Sequence, residues 1–191
     1  WVINYTNPMT VCTRTLYKVF PEIKAFGCCH EVFHTQTLFT HILKELKSID
    51  NVPREEIKTN ILGINHFTWM NRAFYKNIDL FPLFKEFSEH YFKDGYDTFT
   101  GPEELMPFQT RARVRFDLFK RYGLICAAGD RHIVEFLPPW YLHQGHKQAQ
   151  EWMFTLMSVD FRIQLMNIRL KRRKRILSGK ENIVLEPSGE E

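Results

Sequence analysis

Apolar and polar positions over the first 47 residues fall into blocks that predict strand, helix, strand, helix. Residues 1–6 (WVINYT) read as a short buried strand closed by the turn signal Asn7-Pro8. Pro8 suits the first turn of a helix, which residues 9–20 continue until Pro21 stops it. Residues 23–28 (IKAFGC) predict a second strand. Over residues 32–47, Phe33, Leu38, Phe39, Ile42, Leu43 and Leu46 form one helical stripe. This order predicts parallel strands joined by crossover helices, with ligands beyond the carboxyl ends of the strands. Asn7 follows the first strand and Cys29-His30 the second, so polar residues gather where that architecture puts a site.

After a polar break at residues 51–56 the pattern changes. Residues 59–64 predict a strand ending at Asn65-His66, and residues 67–75 an extended segment. Residues 80–92 predict a helix with Leu83, Phe84, Phe87 and Tyr91 on one face. A loop is expected at 94–102, a helix over most of 103–122 capped by Gly123, and a short apolar run at 124–128 ending in Gly129-Asp130-Arg131-His132. Residues 147–177 predict one long amphipathic helix, whose apolar stripe suits either core packing or an interface.

Composition narrows the classes. The chain has 191 residues, 44% hydrophobic and 25% charged, a globular balance. Aromatics reach 15%, with 17 Phe, which suits a well-filled core or flat surfaces for sugars. No apolar run is long enough to span a membrane. The net charge of +4 owes much to Lys171-Arg172-Arg173-Lys174-Arg175. That run reads as the solvated end of a helix, where positive charge also suits the dipole, and no nucleic-acid partner is expected. Cys12, Cys28, Cys29 and Cys126 form no regular framework, and Cys28 and Cys29 are adjacent, so a reducing cytoplasm is expected. Both ends read as cuts through a longer protein.

Two places invite chemistry. Cys29 and His66 stand at two strand ends, and thiolate and imidazole ligate borderline divalent metals. Their spacing matches no zinc-finger pattern, so a small buried cysteine and a satisfied core histidine compete with the metal reading. Asp130, behind Gly129, is either a general base or a carboxylate that pairs with Arg131 or caps a neighbouring element.

Four ordered segments, NYTNPM (4–9), CHEVF (29–33), GINHFTW (63–69) and GDRHIVEF (129–136), resemble glycoside hydrolase family 4, whose members depend on NAD and a divalent metal. They span most of the chain. The resemblance implies hydrolysis by NAD-dependent oxidation at the sugar's C3, metal-assisted loss of the C2 proton, elimination at C1, addition of water and re-reduction. It implies Cys29 and His66 as ligands of Mn2+ or another divalent metal, His30 as proton donor to the leaving oxygen, and Asp130 as the C2 base, a role that a Tyr fills in some branches. Asn7, Asn65, Arg131 and His132 would line the sugar pocket. The CHEV form resembles the α-galacturonidase branch. A uronic acid needs a cationic partner, for which Arg has the fork geometry: Arg131 first, with Arg111 and Arg113 behind it. Glu31 has no role in this scheme.

The implied fold is α/β: the second half of a Rossmann-like NAD domain at residues 1–57, then part of a mixed α+β substrate domain at 58–191, in the lactate/malate dehydrogenase-like superfamily. The implied substrate is a small α-galacturonide or related α-glycoside, and the full-length protein is expected to form a homodimer or homotetramer. Two departures stand out. No G-x-G-x-x-G turn for NAD pyrophosphate exists in the chain, so no NAD-binding residue is named, and His34 replaces an expected small residue after CHEVF. Alternatives are an α-glucosidase or α-galactosidase of the same family, an NAD-dependent dehydrogenase relative, or an inactive truncated chain.

Overall fold

β1 (Val2–Asn4) and β2 (Ala25–Gly27) pair in parallel, Val2 opposite Ala25 and Asn4 opposite Gly27. The crossover between them is α1 (Met9–Val19). The computed structural model describes residues 1–97, 110–156 and 158–182. Polar contacts lock α1 to the strands. The Tyr17 hydroxyl donates to the Ala25 carbonyl, and the Asn4 amide donates to the Met9 carbonyl at 3.3 Å and the Thr13 hydroxyl at 3.0 Å. The first strand is not buried as its apolar sequence predicts: Val2 is 38% and Ile3 55% exposed. The reason is geometric. Among the described residues the sheet has two strands, and α1 alone packs on them with more than scattered contacts.

α2 (Glu31–Lys47) begins beyond β2, close to expectation, and ends at Ser48 in the left-handed region. Its stripe of Leu38, Phe39, Ile42 and Leu43 is buried. It packs against α3 (Leu80–His90), whose start is capped by Asp79 accepting from the Phe81 N–H at 3.0 Å. The floor of this core is an antiparallel sheet. β3 (Ile57–Ile64) pairs with β4 (Phe67–Tyr75), and both β5 (Ile78–Asp79) and β6 (Ile125–Cys126) pair with β4. Ile57, Met70 and Ala73 join the α2 and α3 side chains in one cluster. The expected division at residue 57 therefore does not separate two cores, because α2 completes the core of the sheet that follows it.

α4 (Arg113–Tyr122) forms the later part of the helix expected over most of 103–122. Residues 98–109 lie outside the described ones, which removes much of the expected loop at 94–102 as well. Thr110 bridges Phe154, and Ala112 holds φ 56, so the helix starts only at Arg113. Gly123 ends it with φ 67, as expected. The expected turn at Gly129 opens instead into a short helix, α5 (Asp130–Ile133). The far face of α4 builds a second cluster, with Val114 and Leu118 against Ile133, Tyr141 and Phe154.

The single helix expected over 147–177 is two: α6 (His146–Glu151) and α7 (Val159–Leu177). Between them Met153 turns left-handed at φ 57, and Phe154 is buried while it pairs with Thr110. Burying Phe154 takes the chain out of the helix. Ser158 restarts it by accepting from the Phe161 N–H at 3.1 Å. Of the two roles open to its apolar stripe, core packing within the described residues is not the one seen: α7 has no buried residue. Among the described residues, no helix is long and apolar enough to cross a membrane.

Candidate functional site

Three stretches of chain converge at one end of the two sheets. Cys29 follows β2, His30 holds the N-cap position of α2, and Glu31 opens the helix. His66 lies in the two-residue turn between β3 and β4. Arg131 and His132 sit on α5. Cys29 Sγ lies 3.6 Å from His66 Nε2 across 37 residues of chain. A carboxylate oxygen of Glu31 joins them, and the three donor atoms lie within 4.8 Å of one another. The His66 ring stacks on His132 with centroids 3.9 Å apart. His132 Nε2 stands 3.4 Å from Glu31 Oε1 and 3.1 Å from Arg131 Nη2.

The backbone fixes this geometry. His66 holds φ 62, a left-handed conformation in which His, Asn and Asp are enriched among non-glycine residues. Gly63, at φ 110, allows the hairpin end to close, since a Cβ there would lie 2.1 Å from the Phe67 carbonyl oxygen. On the other side, Thr35 of α2 donates to the Ala127 carbonyl at 3.2 Å, and the Ala127 N–H donates to the Thr68 carbonyl at 2.9 Å. These bonds tie the start of α2, the root of α5 and β4 together.

Burial sets the charges. It pushes the Cys29 thiol up, opposed by the backbone N–H groups of Glu31 and His30. It pulls the His66 imidazole down, and His132 further, to about 4, helped by the neighbouring His66 ring and Arg131. Both rings are therefore neutral near pH 7, and the contact between His132 and Glu31 is not an ion pair. Burial also lifts the Glu31 carboxyl to about 7, against the Gly129 backbone N–H and the charges of Arg115 and Arg131. Glu31 Oε2 is shielded from solvent and has no hydrogen-bond partner.

Of the residues named from sequence, Cys29, His66, Arg131 and His132 come together. His30 is next to Cys29, and its ring centroid lies 5.5 Å from that of His34, so His34 packs beside the expected proton donor. Asn7 lies three residues beyond β1 and Asn65 directly before His66, both exposed. Asp130 lies against the start of α4. It is 0% exposed, and its two oxygens accept the Val114 and Arg115 N–H groups at 3.2 and 3.1 Å. Its carboxylate caps α4, as one of the two readings left open by its sequence expects. Arg111 and Arg113 are occupied elsewhere, donating to the carbonyls of Asp94 and Phe92 at 3.2 and 3.1 Å. Sequence reasoning gave no role to Glu31, Gly129 or Arg115. Only Glu31 had a signal, its place two residues after Cys29.

The donors suit a borderline divalent cation: a thiol, a neutral imidazole and an oxygen within reach of one centre. NAD is different. Neither the β1–α1 connection, residues 5–8, nor the β2–α2 connection, residues 28–30, contains glycine, so these residues form no pyrophosphate cradle.

Two family models match. "Family 4 glycosyl hydrolase" covers residues 1–45, and "Family 4 glycosyl hydrolase C-terminal domain" covers residues 61–186. An alpha-galacturonidase of Thermoanaerobacterium saccharolyticum is 51% identical over 100% of this chain and 41% of its own length. The chain thus spans about two fifths of the curated relatives it matches. The crystal structure of lplD from Bacillus subtilis, assigned as a glucosidase, superposes with a TM-score of 0.83 at 48% identity, over 99% of this chain and 43% of that one. A 6-phospho-alpha-glucosidase from gut microorganisms, solved with NAD and Mn2+, shares the fold at a TM-score of 0.58 and 16% identity, over 99% of this chain and 40% of that one. With one family profile covering most of its length and a relative half identical from end to end, this α/β chain belongs to glycosyl hydrolase family 4.

Proposed function

We propose that the protein containing this chain hydrolyses α-galacturonides, using a divalent cation, with Mn2+ first, held by Cys29 and His66, and NAD held elsewhere in the full-length protein. The observation that carries this reading is the 3.6 Å approach of Cys29 Sγ to His66 Nε2 from positions far apart in sequence. Named α-galacturonidases about half identical over the whole chain support the sugar. When bound, the cation supplies Lewis acidity to the sugar's C2 and C3 oxygens, and NAD supplies a hydride acceptor that is restored within the cycle.

The chain's own residues hold and move protons around that chemistry. His30, beside Cys29 at the start of α2, gives a proton to the departing glycosidic oxygen. His132, stacked on His66, fixes the orientation of the metal-binding ring. Arg131 offers its guanidinium to the uronate carboxylate. Asn7 and Asn65 meet sugar hydroxyls. Asp130 acts through structure, holding the N-terminus of α4 against the root of α5. Residues 1–57 belong to the NAD-binding part and 58–191 to the substrate part, and the full-length protein works as a dimer or tetramer in the cytoplasm.

The test uses the full-length protein with NAD+, Mn2+ and a reductant, measuring aglycone release from nitrophenyl α-galacturonide, α-glucoside and α-galactoside. The expected result is hydrolysis of the galacturonide that needs both cofactors and is lost in Cys29→Ser. Activity on a neutral glycoside alone would keep the chemistry and reject the uronate assignment. NADH accumulation without hydrolysis would favour a dehydrogenase.

A further inference from the structure

Glu31 has no part in the reaction as argued so far, yet it lies in the middle of the cluster. We infer that Glu31 is a third protein ligand of the divalent cation held by Cys29 and His66, donating through Oε2. This inference rests on the metal reading of that pair.

Three observations carry it. A Glu31 carboxylate oxygen, Cys29 Sγ and a His66 ring nitrogen already lie within 4.8 Å of one another, so only small shifts would bring all three onto one ion. Oε2 is shielded from solvent with no hydrogen-bond partner, an unfavourable state that a cation relieves. The rest of the carboxylate is cradled. Oε1 faces His132 Nε2 at 3.4 Å, and a Cβ on Gly129 would come within 3.2 Å of it. Glycine at 129 leaves room for this carboxylate. The chemistry agrees. A thiolate and an imidazole alone make a soft pair that suits Zn2+, whereas carboxylate oxygen suits Mn2+. Thiolate plus carboxylate would also balance the two positive charges of the ion.

The test measures Mn2+ binding to the full-length protein without substrate, by the electron paramagnetic resonance signal of the free ion. Glu31→Gln keeps the shape and removes the charge, and is expected to weaken Mn2+ by at least about 10-fold. Gly129→Ala crowds Oε1 while leaving the carboxylate, and is expected to weaken it in the same direction. In Co2+-loaded protein, Glu31→Gln is expected to keep the thiolate charge-transfer band and shift the ligand-field bands. That combination would not arise if Glu31 merely supported His132. Unfolding curves in chelator establish that each variant is folded. Should Glu31→Gln fail to fold, Gly129→Ala decides. Mn2+ affinity unchanged in the folded Glu31 and Gly129 variants, with an unshifted cobalt spectrum, overturns the proposal. If Cys29→Ser then weakens Mn2+, the metal reading survives and Glu31 alone is excluded. If Cys29→Ser also leaves binding unchanged, both fall together.

Discussion

Asp130 illustrates how a carboxylate's partners decide its work. Asp130 is fully buried, and each of its oxygens accepts an N–H group at the start of α4. Asp130→Ala in the full-length protein is expected to cost about 3 kcal/mol, because it strips a helix cap and leaves buried donors unpaired. Denaturant unfolding checks this. Lost activity at unchanged stability would restore the base. Sequence left cap and base both open, since the capped helix precedes Asp130 in the chain and only the fold reveals which N–H groups it meets. Cys29 and His66 were legible as candidates because each ends a strand, but the sequence could not set their distance. Cys126 gives a pH signature. Complete burial raises its thiol from 9.0 to about 12. The folded protein keeps a proton that the unfolded chain releases, so this contribution to stability is complete below pH 9 and declines from 9 toward 12. Cys126→Ala is expected to flatten that decline in unfolding curves recorded across this range, and native Cys126 is expected to resist alkylation that labels it once unfolded.

At the scale of elements, buried stripes were readable and tertiary interruptions were not. α2 and α3 declared themselves by apolar spacing, and both bury that stripe in one core. Phe84, fully buried between α2, α4 and α3's own neighbours, makes edge contacts with Phe39, Phe116 and Phe119. Phe84→Ala is expected to destabilise by about 3–5 kcal/mol in denaturant unfolding. The break between α6 and α7 had no local signal, since no Gly or Pro lies between Gly145 and Ser158. It follows from burial of Phe154 and its pairing with Thr110, more than 40 residues earlier in the chain. α7 repeats the lesson in reverse: its apolar residues suited a core or an interface, and Ile163, Met166 and Leu170 lie on the surface of this chain. In the 191-residue chain alone, amides of α7 are expected to exchange with solvent far faster than those of α3 in hydrogen-exchange measurements.

For the whole molecule, the order of strands and helices gave the α/β class, but not the sharing of one core across residue 57. That sharing depends on α2 turning its stripe toward a sheet that comes later in the chain. The two-stranded sheet leaves Trp1, Ile3 and Phe26 exposed. The 191-residue chain alone is therefore expected to self-associate with rising concentration in light-scattering measurements, because exposed strand edges and apolar patches template pairing. Chelation of the full-length protein is expected to lower its melting temperature. At a cation concentration one hundred times the dissociation constant, the lost stabilisation is about 2.7 kcal/mol. The placing of the two side chains proposed to hold the cation has a mechanical consequence. Cys29 hangs from the parallel pair and His66 from the tip of the antiparallel hairpin, so a cation held by both, as proposed, would work as a clasp that closes a 37-residue span. Unlike a disulfide, such a clasp would open by dilution of the ion or by oxidation of one thiol. Each event would loosen the two sheets from one another, coupling the alignment of the reacting groups to the metal and redox state of the surroundings.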